Sequence, residues 1–204
     1  MKFFDMKFWD RTADLYDAFQ AVNREVYKKM TATVERLVPR GAKVLDCAAG
    51  TGELSLAAAK KADSVLCTDL SEKMLANARR KAASRGIQNI GFEVRNLFHL
   101  EDEDGTYDVV IAGNVLHLLT DPQAAVRELY RVTKPGGKLL LPTFTPLSKD
   151  SSLIKIYERI GCAPEHWYTP QEYKDILCET GYDVKAKLIR GAVPCTFAVI
   201  KKPL

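Results

Sequence analysis

Lys43-Val44-Leu45-Asp46-Cys47-Ala48-Ala49-Gly50-Thr51-Gly52-Glu53-Leu54-Ser55 is the stretch that sets the fold. Val44-Leu45 reads as the end of a buried strand and Glu53 as a helix start, and the small residues from Ala48 to Gly52 make a tight turn between them. A strand, a turn without side-chain bulk and a helix N-terminus let a nucleotide-like ligand press against backbone N–H groups. The two glycines permit that approach because they lack a Cβ. The dinucleotide fingerprint G-x-G-x-x-G does not fit. Counted from Gly50 and Gly52, its third glycine falls on Ser55; counted from Ala48 and Gly50, it falls on Glu53.

Downstream, strands and helices alternate, which predicts one α/β domain. Ser64 to Thr68 reads as a second buried strand ending at Asp69. A carboxylate there can accept hydrogen bonds from both hydroxyls of a ribose. The same Asp69-Leu70-Ser71 also suits the cap of the next helix, Glu72 to Arg85. Met74, one turn in, packs either on a ligand base or in the core. Arg79, Arg80, Lys81 and Arg85 on that helix read as a solvated face rather than a nucleic-acid contact. Asn89 to Val94 is a third strand, Glu101 to Asp104 a solvated acidic loop, and Tyr107 to Ala112 a fourth strand ending in Gly113-Asn114-Val115-Leu116-His117. Ligands in open α/β sheets bind beyond the carboxyl ends of the strands, so this last segment should flank the site. His117, as a neutral imidazole, can take a proton from a substrate; packing or hydrogen bonding is the plainer role.

Residues 1 to 40 read as helical, with Phe8, Trp9, Leu15, Tyr16 and Phe19 on an aromatic face and a second helix from Asn23 to Leu37. Pro135-Gly136-Gly137 reads as a turn into a fifth strand, Leu139 to Phe144. Leu153 to Ile160 suggests a short amphipathic helix, and the loop 161 to 168 brings Trp167 and Tyr168, either as an aromatic wall or folded over the sheet edge. Thr169-Pro170-Gln171-Glu172 opens another helix, ended by Gly181. Val184 to Ile189 and Thr196 to Ile200 read as a final antiparallel pair.

A chain of 204 residues suits one domain with a sizeable core, and a net charge of +4 does not call for nucleic acid or an anionic membrane. No apolar run reaches membrane-spanning length, and the aspartates near the start do not suit a signal peptide. Five cysteines without a C-x-x-C pair or zinc spacing predict free thiols, a cytoplasmic setting and no metal site.

Asp46, Ala48, Gly50 and Gly52 resemble motif I, Asp-x-Gly-x-Gly-x-Gly, of the class I S-adenosylmethionine-dependent methyltransferases, with Ala48 where the first glycine usually stands. The segments Val115 to Pro122 and Arg131 to Lys138 are similar to the small-molecule, quinone-biosynthesis-like branch. The (Asp/Asn)-Pro-Pro-aromatic motif of nucleobase amino-methylating enzymes is not at Asn114. The resemblance implies a Rossmann-like, doubly wound, seven-stranded mostly parallel sheet with the last strand antiparallel and helices on both faces. It implies one domain, residues 1–204, with 1–40 as a helical lid, 41–145 as the cofactor core and 146–204 carrying the acceptor side and last strands. The implied cofactor is S-adenosyl-L-methionine and the implied partner a small-molecule acceptor, the oligomeric state being open. Asp46, Ala48, Ala49, Gly50 and Gly52 would then hold the cofactor's amino-acid end, Asp69 and Leu70 its ribose, and Asn96, Leu97 and Met74 its adenine. Asn96 stands where the family commonly has Asp; its amide keeps an acceptor oxygen and loses the charge. Asn114 and Leu116 would lie near the reacting sulfur, with His117 and the lid residue Tyr16 as candidates for catalysis. Methyl transfer to protein or RNA, and a non-catalytic cofactor-binding module, are the other readings.

Overall fold

The computed structural model describes Asp10, residues 23–148, Ile154 and residues 164–204. The expected lid residues Phe8, Trp9 and Tyr16, and most of the helix expected at 153–160, lie outside the described residues. Among the described residues these helices and strands follow in chain order: α1 Arg24–Leu37, β1 Lys43–Cys47, α2 Glu53–Ala59, β2 Ser64–Asp69, α3 Glu72–Ser84, β3 Ile90–Val94, β4 Tyr107–Ile111, α4 Pro122–Val132, β5 Thr133–Phe144, α5 Pro170–Cys178, β6 Val184–Ile189 and β7 Cys195–Lys201. A single 3₁₀ turn, Leu116–Leu118, lies between β4 and α4.

The strands form one sheet in the order β3-β2-β1-β4-β5-β7-β6. The first five strands run parallel, and β7 is antiparallel to both β5 and β6. The expected seven-stranded sheet with its reversed last strand is therefore present. Strand order reverses between β1 and β4, the switch point at which such sheets open a crevice.

Alternation along each strand feeds two core layers. Val44 of β1, Val109 and Ile111 of β4 and Leu140 of β5 pack with Val26, Met30 and Val34 of α1 and with Ala57 and Ala58 of α2. Leu45, Val110, Leu139 and Leu141, one residue out of phase, pack on the other face with Val126 and Leu129 of α4 and Tyr173 and Leu177 of α5. Burial on both faces explains why β1, β4 and β5 read as continuous apolar runs instead of alternating ones. Three caps set helix starts: Ser71 for α3, Asp121 for α4, and Thr169 in a reciprocal capping box with Glu172 for α5.

The Pro135-Gly136-Gly137 segment differs from expectation. It is a bulge inside a longer β5: Thr133 already pairs with Tyr107, and the register then jumps so that Lys138 faces Val109. Gly136, at φ +76°, donates its N–H toward the carbonyls of Lys202 and Pro203. A Cβ on Gly137 would lie 2.9 Å from the Asp108 carbonyl oxygen, so the bulge is packed too tightly for a side chain. The acidic loop is solvated at Glu101, Glu103 and Asp104, whereas Asp102 is partly covered and accepts from Arg95 and from the Tyr107 hydroxyl.

Candidate functional site

The carboxyl ends of β1, β2, β3 and β4 lie side by side, with Cys47 opposite Thr68, Asp69 opposite Val94 and Asp46 opposite Ile111. Immediately beyond β1 the chain makes its sharp turn through left-handed conformations at Ala48 (φ 51°), Gly50 (φ 55°) and Gly52 (φ 78°). A Cβ on Gly52 would sit 2.8 Å from the Ala78 Cβ of α3, so this glycine is required both by its backbone angle and by helix packing. Ala48 carries the cost of a left-handed non-glycine residue, which proteins retain mainly at ligand sites.

Asp46 is 1% exposed, beneath this turn. Its Oδ2 accepts from Ser55 Oγ at 2.6 Å, while among the described residues Oδ1 has no hydrogen-bond partner. Burial pushes its pKa from 3.8 up to about 7; the neighbouring Asp69 charge adds to that rise and the Ser55 hydroxyl opposes it. An acceptor oxygen held in the interior without a donor is costly unless a ligand supplies one. The ammonium group of an amino acid is such a donor.

Asp69 ties the end of β2 to the same turn. Its Oδ2 accepts from Gly50 N at 2.8 Å and its Oδ1 from Ser71 N at 2.9 Å. Each carboxylate oxygen keeps a further lone pair for a ribose hydroxyl. Burial raises the Asp69 pKa, opposed by those backbone donors. The α3 cap is Ser71, whose Oγ accepts from Met74 N and donates to Asp10 Oδ1 at 2.5 Å. Asp10 thereby reaches this end of the site from the amino-terminal stretch. Leu70 beside Asp69 is 38% exposed, an apolar surface free to meet a ring, whereas Met74 is buried in the first turn of α3.

After β3, Arg95 N donates to the Asp69 carbonyl and Asn96 closes a local turn, its Oδ1 accepting from Phe98 N at 3.0 Å. That bond occupies part of the acceptor capacity expected for a base amino group. Leu97 is buried with Val115 and Leu116 in the α4-side core. Beyond β4, Asn114 adopts φ 55°, donates its backbone N–H to the Pro142 carbonyl, and accepts from Phe144 N at Oδ1. Its Nδ2 faces the Tyr27 hydroxyl at 3.4 Å. The Asn114 side chain is thus committed to the sheet. Leu116 is fully buried and backs the site from below.

His117 is half-buried as a residue, but its Nδ1 is shut off from solvent and has no partner among the described residues. Burial depresses its pKa to about 4, so the imidazole is neutral at physiological pH. The His117 carbonyl accepts from His166 N, which brings the segment carrying Trp167 and Tyr168 over this end.

A narrow slot is lined by Tyr27, Asp46, Ala48, Ala49, Glu53, Leu54, Gly113 and Asn114. The structure therefore brings Asp46, the turn and Asn114 together, with Asp69 one strand end away. Tyr27, Leu54 and Ser55 were not singled out from the sequence. Ser55 lies nine positions from Asp46, on the far side of a turn, and Tyr27 flanks the Val26, Met30, Val34 stripe that marks the buried face of α1. Neither has a periodic signal. A larger, open groove of about 960 Å³ lies elsewhere, between Phe98-His99 and α4, and contains none of the turn residues.

Residues 44–137 match the family model described as a methyltransferase domain. The ubiquinone/menaquinone biosynthesis C-methyltransferase UbiE of Cronobacter sakazakii is 36% identical over 135 residues, which are 61% of this chain and 54% of that protein. The chain thus spans about half the length of the curated relatives it matches. Among solved structures, a SAM dependent methyltransferase from Aquifex aeolicus superposes with a TM-score of 0.70 at 22% identity, covering 97% of this chain and 98% of that one. A putative methyltransferase of Haloferax volcanii, solved with the Trm112 methyltransferase activator, gives a TM-score of 0.77 at 19% identity, covering 96% and 98%. The sheet order, the left-handed turn over a buried carboxylate and the matched domain converge: the chain is similar to the class I S-adenosylmethionine-dependent methyltransferases and, within them, to the quinone-biosynthesis enzymes.

Proposed function

We propose that the chain transfers a methyl group from S-adenosylmethionine to a small-molecule acceptor. The observation that carries the cofactor half of this reading is Asp46, a buried carboxylate with one oxygen lacking a donor among the described residues, under a turn shaped for close backbone approach. The residues present fit the cofactor. Asp46 and the compact turn Ala48 to Gly52 would take its amino-acid end, Asp69 with Leu70 its ribose, and the Asn96-Leu97 turn its adenine, with Met74 beneath. When bound, the cofactor supplies a methyl group already made electrophilic by a sulfonium.

What remains for the chain is to hold the acceptor in line and keep water away, and orientation of this kind can contribute up to about 7–11 kcal/mol. No strongly activated nucleophile is needed for that. Asn114, locked by β5 and Tyr27, presents its backbone at the wall of the slot. His117, held neutral, would add no positive charge beside a sulfonium, and its lowered pKa makes it at most a weak base toward an acceptor. Tyr16 would complete the acceptor side from the amino-terminal segment. The free thiols of Cys47, Cys67, Cys178 and Cys195 fit a cytoplasmic setting, and no helix among the described residues is long and apolar enough to cross a membrane.

The small-molecule acceptor is supported by the curated relatives, named as quinone-biosynthesis C-methyltransferases, and by Asn114-Val115-Leu116-His117 standing where nucleobase amino-methylating enzymes carry an (Asp/Asn)-Pro-Pro-aromatic motif. The test is incubation of the purified chain with methyl-labelled S-adenosylmethionine and a cell extract, followed by fractionation. Label in the low-mass, solvent-extractable fraction is the expected result. Label confined to protein or RNA would overturn the acceptor class, and binding without any transfer would make the chain a cofactor-binding module.

A further inference from the structure

The segment between β3 and β4, residues 95–106, carries the turn proposed to meet adenine, yet it contains no helix or strand. Much of what fixes its backbone comes from two side chains on α4. Glu128 Oε1 accepts from Leu100 N at 2.8 Å, and Arg131 Nη2 donates to Leu100 O at 2.8 Å, so one peptide segment has both its donor and its acceptor claimed by the same pair. Arg131 Nη1 donates to Asp102 O at 2.8 Å and to Asp104 Oδ1 at 2.7 Å. The remaining N–H groups, on Nη2 and Nε, bind Glu128 in a two-pronged contact at 2.9 Å each. A guanidinium has five N–H donors, and here all five have acceptors. The Arg131 carbonyl also accepts from Gly105 N.

From this geometry we infer that Glu128 and Arg131 are positioning residues for the nucleoside end of the cofactor. The inference rests on the cofactor reading above. Leu100, the anchored residue, shares a buried cluster with Leu97, and it directly follows the turn Asn96–His99 that contains Leu97. At the other end, Arg95 N is tied to the Asp69 carbonyl and Arg95 Nη1 to Asp102. The segment is therefore referenced at one end to the ribose carboxylate's own peptide and at the other to α4. The pair does not act as core packing. The Arg131 side chain is 31% exposed, and together with Glu128, Phe98 and His99 it lines the open groove on the outer side of the segment. Lysine keeps the charge at this position but lacks the planar fork, so it cannot hold Leu100, Asp102 and Glu128 at once.

The experiment is calorimetric titration with adenosine and with S-adenosylhomocysteine on the full chain and on Arg131→Met, Arg131→Lys, Glu128→Gln and Asp46→Asn. Arg131→Met and Arg131→Lys should each weaken both ligands by about tenfold, as expected for losing a charge-assisted backbone clamp. Glu128→Gln, which keeps the shape and an acceptor oxygen, should weaken both by about threefold and is the variant least exposed to misfolding. Asp46→Asn should weaken S-adenosylhomocysteine and leave adenosine unchanged. In turnover, the α4 variants should raise KM for the cofactor while kcat at saturation holds, a split that general loss of folded protein does not produce. Hydrogen exchange at the Leu100 amide should speed up in Glu128→Gln. If the unaltered chain binds S-adenosylhomocysteine and the α4 variants bind adenosine as it does, the positioning role is overturned alone. If the unaltered chain binds neither ligand, the cofactor reading fails and takes the inference with it.

Discussion

Asp46→Asn should make the protein more stable at alkaline pH while weakening its ligand. Burial raises the Asp46 pKa from 3.8 to about 7, so the folded state holds this proton more tightly than the unfolded chain does. Protonation therefore favours the folded state. The resulting stabilisation is fully present below 3.8, declines as pH rises, and is lost by the time pH passes the folded value near 7. At about 1.4 kcal/mol per pH unit, the difference between those limits is about 4 kcal/mol. Asparagine carries no charge at any pH and keeps an oxygen for Ser55 Oγ. The variant should match the unaltered protein near pH 5 to within about 1–2 kcal/mol and exceed it by about 2–4 kcal/mol at pH 8. Urea unfolding of both proteins at these two pH values measures the difference directly, and titrations common to both cancel. S-adenosylhomocysteine should reverse the order at pH 8, because its ammonium repays the carboxylate and not the amide. An Asn variant less stable than the parent at pH 8, or a gap that does not change with pH, would refute the reasoning.

His117 titrates with the opposite sign. Burial lowers its pKa from 6.5 to about 4, so stability is present above 6.5 and is lost as pH falls toward 4. His117→Asn should blunt that acid loss by up to about 3 kcal/mol, read from melts between pH 7 and 4. Gly52→Ala should cost about 2–4 kcal/mol and abolish cofactor binding, because it combines a left-handed angle with a collision on Ala78; chemical denaturation and calorimetry report the two effects. Lys202→Met should lower stability by about 1–2 kcal/mol and leave ligand affinity unchanged. Its ammonium binds the carbonyls of Tyr130, Arg131 and Thr133 at the end of α4 while lying over the Tyr130 ring, and a thermal melt with and without ligand separates the effects.

Local chemistry made the turn after β1 legible. Small residues between a strand and a helix start could only mean a tight turn, and an acid at the end of β2 marked the neighbouring strand. What could not be read involves partners distant in the chain. The Pro135-Gly136-Gly137 bulge needs Lys202 and Pro203, more than sixty positions away, to accept the Gly136 N–H. Asn114 could be assigned to the slot from its place after β4, but not the fact that Phe144 and Tyr27 consume its side chain. Arg131 belonged to a run read as a turn into β5, and nothing in that run shows that its guanidinium reaches Leu100, Asp102 and Asp104. The acidic run 101–104 is largely solvated, as its composition suggests, but composition cannot show that Asp102 and Asp104 meet arginines.

Asp46 and Asp69 also bear on how the site empties. A buried carboxylate in the slot with a second, partly covered one a strand end away would make the site a discriminator of net charge. A methyl donor enters with one more positive charge than its spent form carries away. On the proposed reading, an acidic site of this kind would favour the fresh, more positive molecule over the used one, which would help exchange run forward.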